Sequence, residues 1–160
     1  MESLLEANRY VKYPFSTSSL DKLKDVHPDL QRFAFALADI IDCKIVYGVR
    51  SDEEQNKLFK DGKSKCDGYI KKSAHQKRSD GYGHALDILP LPKGVNMYLN
   101  DGSEDNIRWG QFDGLCQGVA HYLDINVKTG FKWKGSMMET LQAAERDNKF
   151  PDGNHIELIG

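Results

Sequence analysis

The segment H84-A-L-D-I-L89 is short and apolar, it is interrupted by a single carboxylate, and the prediction of the fold starts from it. Its composition is typical of a β-strand, which the proline-rich turn beginning at Pro90 ends. Alternation along a strand places Asp87 on the face opposite to Leu86 and Ile88. A carboxylate within such a strand is costly to bury without a partner. The segment therefore predicts either a cation or metal ion at Asp87, or a salt bridge or strand-end position there.

The region before this strand contains a helix, a strand and a second helix. Apolar residues at three- and four-residue spacing predict a helix over 28–42. The β-branched and aromatic run K44-I-V-Y-G-V49 predicts a strand. Ser51 and Glu54 form a capping-box pattern, so a second helix is expected from about Asp52 to Asp61, before Gly62.

The region after the strand is also mixed. A polar loop over 100–106 precedes an apolar helical face that ends near Leu123. Residues 131–134 predict a strand, residues 136–146 a helix, and residues 154–159 a final strand with alternating polarity. This order predicts the α+β class, with a small antiparallel sheet flanked by helices in one compact domain.

The composition is that of an ordinary globular chain. It has 160 residues, of which 39% are hydrophobic and 29% charged, and its net charge of −2 argues against a general nucleic-acid binder. The three cysteines are widely spaced, which fits free thiols in a reducing cytoplasm better than a disulfide framework. We identify no signal peptide and no membrane span. The first fifteen residues predict a short helix or an ordered arm and residues 16–20 a turn, so residues 1–18 are interpreted as an N-terminal arm.

Two imidazoles and a carboxylate in separate segments could bind a metal ion. His75, Asp87 and His155 are the residue types that hold a catalytic zinc ion while one coordination position stays open for water. Asp152, just upstream of His155, is placed to accept a proton from that water. Arg50 supplies a cation for the negative charge that develops on an attacked carbonyl group. The pattern predicts a metal-dependent hydrolase.

Each of these residues also has an ordinary explanation. Asp152 lies in a Pro-Asp-Gly sequence, which is a strong turn signal by itself. Arg50 fits a solvated arginine at a strand end, with Gln55 expected to face the same cleft. Glu157 shares a strand face with His155, where it either orients a metal ligand or points to solvent.

The basic stretch from Lys63 to Arg78 has no assigned role from the sequence. It fits a solvated loop, or a surface that meets an anionic polymer such as a cell wall or nucleic acid. Its basic residues are Lys63, Lys65, Lys71, Lys72, Lys77 and Arg78.

Taken together, the motifs resemble a known family. The chain resembles the zinc peptidases that cut peptidoglycan stem peptides between L-alanine and D-glutamate, which are relatives of the D-alanyl-D-alanine peptidases and are often phage endolysins. The segments that carry the resemblance are S19-L-D-K-L-K-D-V-H-P-D-L30, G48-V-R-S-D-E-E-Q55 with L58-F-K-D-G-K-S64, S73-A-H75 with G83-H-A-L-D87, F131-K-W-K-G135 and D152-G-N-H-I-E157.

The resemblance assigns a role to each candidate residue. It implies that His75, Asp87 and His155 bind zinc at the sheet face. It also implies that Asp152 is the catalytic acid and base, and that Arg50 stabilises the oxyanion.

The first histidine departs from the family pattern. The family usually places it three residues before the motif glycine, where this chain has Asp80, and His75 lies five residues further back. We interpret residues 76–80 as an insertion in the ligand loop. The alternative is that His84 replaces His75 as a ligand, although strand alternation turns His84 away from Asp87.

The expected protein is a monomeric zinc endopeptidase that occupies residues 1–160 and acts on bacterial peptidoglycan, at the L-alanyl-D-glutamate bond. We expect no separate cell-wall-binding domain, no nucleic-acid partner and no membrane insertion. Synthesis in the host cytoplasm without a signal peptide implies action on the wall after release. The alternatives are a D,D-carboxypeptidase or dipeptidase of the same superfamily, and a non-catalytic module that binds an anionic polymer through residues 63–78.

Overall fold

Helices and strands are mixed along the chain, as the α+β prediction requires. A computed structural model describes residues 2–130 and 154–160. Within these ranges the helices are α1 (Glu2–Asn8), α2 (Thr17–Leu23), α3 (Pro28–Ala38), α4 (Asp52–Lys60) and α5 (Asn106–Tyr122), and the strands are β1 (Cys43–Tyr47), β2 (Ala85–Pro90), β3 (Val127–Thr129) and β4 (His155–Leu158).

The four strands form one antiparallel sheet in the order β1-β2-β4-β3. The segment H84-A-L-D-I-L89 therefore contributes a central strand, β2, and β4 lies beside it. The register pairs Tyr47 with Asp87, and Asp87 with His155. Three residues from distant parts of the sequence consequently lie side by side across neighbouring strands.

The hydrophobic core lies on the face of the sheet opposite to Asp87. Leu86, Ile88 and Ile156 point into it and are almost completely buried. Phe33 of α3 and Trp109 of α5 are its largest fully buried aromatic side chains. Each such side chain contributes about 1.5–3 kcal/mol relative to exposure, so this layer supplies much of the support for the sheet.

Local sequence signals set the helix starts. The capping box of α4 is formed, because Ser51 Oγ accepts from the Glu54 amide over 3.1 Å and Glu54 Oε2 accepts from the Ser51 amide over 2.9 Å. Gly62, just beyond the helix, has a φ of 70° that favours glycine, as the sequence indicated. α3 begins with Pro28 at its N-terminus.

Three predictions of secondary structure were wrong or incomplete. Residues 16–20 are not a turn, because Ser16 caps α2 by accepting from the Ser19 amide, and serine suits caps and turns alike. α3 ends at Ala38, so Ile40 is 53% exposed instead of belonging to an apolar helical face. β3 was not predicted, because three residues are too few to show a period.

Several expectations fall on residues outside the described ranges. The predicted strand over 131–134, the predicted helix over 136–146 and Asp152 lie outside the described residues.

Residues 2–8 form a short helix, and Leu4 and Phe15 are buried in the core. No helix within residues 2–130 and 154–160 combines the length and apolarity needed to cross a bilayer.

Candidate metal centre

The three side chains singled out in the sequence converge on one point of the sheet face. His155 Nδ1 lies 3.1 Å from Asp87 Oδ1, and His75 Nε2 lies 3.4 Å from the same oxygen. The two ring nitrogens are 3.3 Å apart. All three side chains are buried. The structure therefore places all three candidate ligands together, although 80 residues separate the first from the last.

The sheet and one loop position these side chains. Asp87 on β2 and His155 on β4 are register partners, so their side chains emerge side by side. His75 lies at the end of the loop that follows α4. Its carbonyl accepts from the Arg50 amide over 2.9 Å, and the preceding Ala74 carbonyl accepts from the His84 amide over 2.8 Å. Residues that follow β1 and precede β2 thus hold this part of the loop in place.

Partners on the outer sides of the rings select the tautomers. His75 Nδ1 lies 2.8 Å from the Gly48 carbonyl, which can only accept, so this nitrogen carries the proton. His155 Nε2 lies 3.0 Å from Glu157 Oε2, and the same reasoning places its proton there. In the neutral rings, both inner nitrogens then turn lone pairs toward Asp87. Three electron-rich atoms at this separation repel one another unless a cation lies between them.

The spacing of the donors fits a zinc ion. Tetrahedral zinc with nitrogen and oxygen ligands at about 2.0–2.1 Å has ligand-to-ligand distances of about 3.3–3.4 Å. The three observed distances of 3.1, 3.3 and 3.4 Å are close to this range. Outer hydrogen bonds to a carbonyl and a carboxylate are the usual partners of metal-binding histidines. The residues present therefore suit zinc with a fourth position free.

The carboxylate of Asp87 is held in its charged form. Burial alone raises the pKa of Asp87, but contact with His155 and His75, which hydrogen-bond to it when a ring is protonated, holds this pKa well below its ordinary value. Hydrogen bonding to His155 likewise lowers the pKa of Glu157. Both carboxylates are ionised at neutral pH, one toward the centre and one behind it.

Arg50 adjoins the centre through Tyr47, the register partner of Asp87. Its guanidinium lies over the Tyr47 ring at 5.5 Å from the centroid, and Nη1 donates to Gln55 Oε1 over 2.8 Å. Gln55 was expected to face the cleft, but it is fully buried and donates to Ser64 Oγ and the Cys66 carbonyl. Gln55 therefore orients the guanidinium of Arg50, and Arg50 is the residue of this pair that lines the cleft.

A basic cavity of about 640 Å³ opens beside Arg50. Gly48, whose carbonyl holds the ring of His75, forms part of its wall, so the cavity adjoins the metal centre. Four of its lining residues are basic and two are acidic, and one of the acids, Glu54, is used in the capping box. The basic residues are Lys22, Arg50, Lys57 and Lys63.

His84, the alternative ligand, belongs to a different cluster. Its Nε2 lies 2.6 Å from Asp80 Oδ2, and its ring contacts that of His27. His27 Nδ1 accepts from the Asp29 amide over 3.2 Å as the cap of α3, which leaves its proton on Nε2. The geometry therefore places His75, and not His84, beside Asp87 and His155. The second cluster consists of His27, Asp80 and His84, and it contains side-chain and capping hydrogen bonds that are common on protein surfaces.

A small hairpin follows His75 in the loop. Lys77 and Gly83 form an antiparallel bridge, and the Arg78 amide donates to the Tyr82 carbonyl over 2.9 Å. Gly81 has a φ of 86°, which closes the turn between them. Residues 77–83 thus form a hairpin between His75 and β2, and residues 77–80 of the segment interpreted as an insertion lie within it.

Two contributors to the centre were missed in the sequence. A Cβ on Gly48 would lie 1.9 Å from the Lys22 carbonyl oxygen, so only glycine allows α2 to pack this closely on β1. A glycine inside a strand pattern is a signal of such close approach. Tyr47 gave no local signal, because its position beside Asp87 depends on the register.

Two buried histidines and one buried aspartate, brought together by the two central strands and the adjoining loop, form a candidate site with the donor set that mononuclear metallohydrolases use. Residues 11–159 match the family model of the phage L-alanyl-D-glutamate peptidase, and the chain belongs to this family.

Two relatives show the extent of the similarity. The chain is 30% identical over 144 residues to the peptidoglycan L-alanyl-D-glutamate endopeptidase CwlK of Bacillus subtilis, which covers 84% of this chain and 74% of the relative. The fold of this chain is similar to that of the Serratia marcescens L-Ala D-Glu endopeptidase ChiX in its crystal structure. The TM-score is 0.61, the sequence identity is 24%, and 92% of each chain is covered.

Proposed function

We propose that this protein is a zinc-dependent endopeptidase that hydrolyses the L-alanyl-D-glutamate bond of bacterial peptidoglycan stem peptides, as a phage endolysin does. The convergence of His75, Asp87 and His155 carries the proposal. These residues would hold the metal, which when bound supplies a Lewis acid for the scissile carbonyl and increases the acidity of water. Family membership supports the choice of bond.

Arg50 and Asp152 complete the proposed chemistry. Arg50, fixed by Gln55 and stacked on Tyr47, stabilises the negative charge that develops on the carbonyl oxygen of L-alanine. Asp152 accepts the proton of the attacking water and returns a proton to the amino group of the departing D-glutamate. This assignment rests on its position three residues before His155, because Asp152 lies outside the described residues.

The charge of the cavity supports an acidic substrate. D-glutamate brings a carboxylate to the bond that is cut, and the cavity beside Arg50 has more basic than acidic lining residues. In this proposal the enzyme is made in the host cytoplasm, works as a monomer and meets the wall after its release. The polymer itself is then the only partner it needs.

Metal content and activity, measured on the same samples, test the proposal. We expect elemental analysis to find one zinc ion per chain, and chelation to abolish the lysis of purified cell walls. His155→Ala should lose zinc and lysis together. Asp152→Ala should keep zinc and lose turnover. His84→Ala serves as the control histidine and should keep zinc.

The products separate this proposal from its alternatives. Digestion of purified muropeptides should create new L-alanine carboxyl ends and D-glutamate amino ends. Release of terminal D-alanine alone would instead identify a D,D-carboxypeptidase. A non-catalytic module would bind wall polymer in a salt-sensitive manner and ignore the chelator. Full lytic activity in His155→Ala or Asp152→Ala would refute the assignment of these residues.

A further inference from the structure

The loop between α4 and β2 exposes two large apolar side chains at its tip. Ile70 is 96% exposed, more than any other large hydrophobic residue in the described part of the chain, and the adjacent Tyr69 is 55% exposed. Single exposed hydrophobic residues are common and need no explanation. A neighbouring pair held in a fixed conformation, five residues before the candidate ligand His75, is a more specific feature.

Hydrogen bonds fix the backbone of the tip. Asp67 Oδ1 accepts from the amides of Tyr69 and Ile70, each over 2.7 Å, and from the Lys71 amide over 3.3 Å. Gly68 has a φ of 89°, and a Cβ there would lie 2.8 Å from the Asp52 carbonyl oxygen. The turn is thus closed on itself and packed against the start of α4.

Buried amides fasten the base of the loop. Gln76, which is 1% exposed, donates from Nε2 to the Gly68 carbonyl over 2.7 Å and to Asp52 Oδ1 over 2.6 Å. Gln55 donates to the Cys66 carbonyl over 2.8 Å, and Asn56 donates to the Asp67 carbonyl over 2.9 Å. Ordering a loop costs conformational entropy, and these contacts offset that cost while the tip remains in solvent.

The tip is also basic. Lys63, Lys65 and Lys71 are exposed and form no salt bridge within residues 2–130 and 154–160, whereas Lys72 pairs with Asp52 at 3.2 Å. Asp67, the acidic residue of the turn, uses its carboxylate on the backbone amides. Lys63 also lines the cavity beside Arg50, so the basic surface extends from that cavity onto the loop.

We propose that the tip surface, defined as Tyr69, Ile70, Lys65 and Lys71, is a second contact site that holds the enzyme on the peptidoglycan strand it cuts. The inference rests on the proposed function, because the occupant is the same carboxylate-bearing polymer. The lysines pair with stem-peptide carboxylates outside the cavity, and the exposed ring and aliphatic side chain pack on the apolar faces of sugars. Gln76, the residue after His75, donates to the Gly68 carbonyl, so the tip is tied to the segment that carries this candidate ligand.

The experiment measures binding separately from catalysis. The full chain carrying Asp152→Ala and loaded with zinc is sedimented with purified sacculi from which proteins and phosphate-containing wall polymers have been removed. The tip variant is Tyr69→Ala with Ile70→Ala. Its matched control is Tyr122→Ala with Ile107→Ala, because these α5 side chains are 86% and 75% exposed. We expect the tip variant to lose about tenfold in affinity and the control to bind as the parent does.

A second pair of variants tests the charge. A double charge variant of the tip and a control double variant change the net charge by the same amount, and only the first should lose affinity and much of its salt dependence. Zinc content and thermal midpoint are measured for every variant, to show that the fold is kept. The charge variant of the tip is Lys65→Gln with Lys71→Gln, and its control is Lys24→Gln with Lys44→Gln.

Three results would overturn the inference. Equal losses in tip and control variants would show that the tip has no special role. Tip-dependent binding to vesicles of phosphatidylcholine and phosphatidylglycerol, but not to sacculi, would identify a membrane surface instead. Binding only to walls that retain their phosphate polymers would identify those polymers. Solubilisation of the sacculi by the Asp152→Ala protein would contradict the proposed role of Asp152, and the same variants in the metal-free His155→Ala background would then measure binding to the tip.

Discussion

The Glu157 carboxylate lies 3.0 Å from His155 Nε2, on the side of the ring that faces away from the metal centre. The Gly48 carbonyl has the corresponding place behind His75, at 2.8 Å from Nδ1. One partner is a side chain and the other is backbone, yet both fix which nitrogen is free to bind a metal. Only the side-chain partner can be removed by substitution without moving the chain.

Glu157→Ala is expected to weaken zinc binding about 10- to 100-fold, because the tautomer and orientation of His155 are no longer fixed. Glu157→Gln keeps an acceptor for the Nε2 proton and should lose much less. Competition with a chromophoric chelator measures both affinities. If the alanine and glutamine variants bound zinc as the wild type does, the carboxylate would have no orienting role.

Arg50→Ala is expected to lower kcat about 10²- to 10³-fold while zinc content stays unchanged. Arg50→Lys should recover little of this loss, because an ammonium group cannot both stack on Tyr47 and donate to Gln55 with the geometry of a planar guanidinium. Kinetics on a purified muropeptide, together with elemental analysis, test this. Loss of zinc from Arg50→Ala would instead indicate a role in maintaining the centre.

The sequence was sufficient to anticipate which side chains converge at the centre, but it did not indicate most of the residues around them. The convergence of His75, Asp87 and His155 could be anticipated because metal ligands are restricted to a few residue types in ordered motifs. Tyr47 could not, because its place beside Asp87 depends on strand register and on an irregularity between Ile45 and Tyr47. Register is a property of the whole sheet, and no local pattern contains it.

The same contrast holds for secondary structure. The capping box at Ser51 and Glu54 located α4, because two reciprocal hydrogen bonds require two residue types at fixed spacing. Ser16 begins α2 with a single cap, and the same residue type is common in turns. Packing favours the helix at this position, because Ser19 and Leu20 are buried against β1 and the core.

Only one of the three cysteines should react with a thiol reagent in the native protein at neutral pH. Burial, with a smaller contribution from the charge of Asp42, raises the pKa of Cys43 to about 12. Burial also raises the pKa of Cys116 well above its ordinary value. Because the thiolate is the reactive form, both thiols stay protonated and slow, whereas Cys66 is partly exposed. Titration with a chromogenic disulfide should count one fast thiol, and three in denaturant. Two fast thiols in the native protein would contradict the buried positions.

Two glycine-to-alanine substitutions should change stability in opposite directions. In Gly48→Ala the new Cβ would lie 1.9 Å from the Lys22 carbonyl oxygen, so β1 and α2 must separate, at a cost of about 1–3 kcal/mol or more. In Gly114→Ala, inside α5, the new Cβ meets no described atom within 4 Å, and helix propensity should stabilise the protein by about 0.5–1 kcal/mol. Denaturant unfolding of the metal-free proteins measures both changes.

Zinc affinity then distinguishes a local from a global effect of Gly48→Ala. Separation of β1 from α2 moves the Gly48 carbonyl, so His75 loses the acceptor that fixes its Nδ1 proton. We therefore expect Gly48→Ala to bind zinc about tenfold or more weakly even under conditions where it is fully folded. Gly114→Ala, on the helix layer away from the centre, should bind zinc as the wild type does. A folded Gly48→Ala protein with undiminished zinc affinity would show that the carbonyl does not orient His75, and that the glycine serves packing alone.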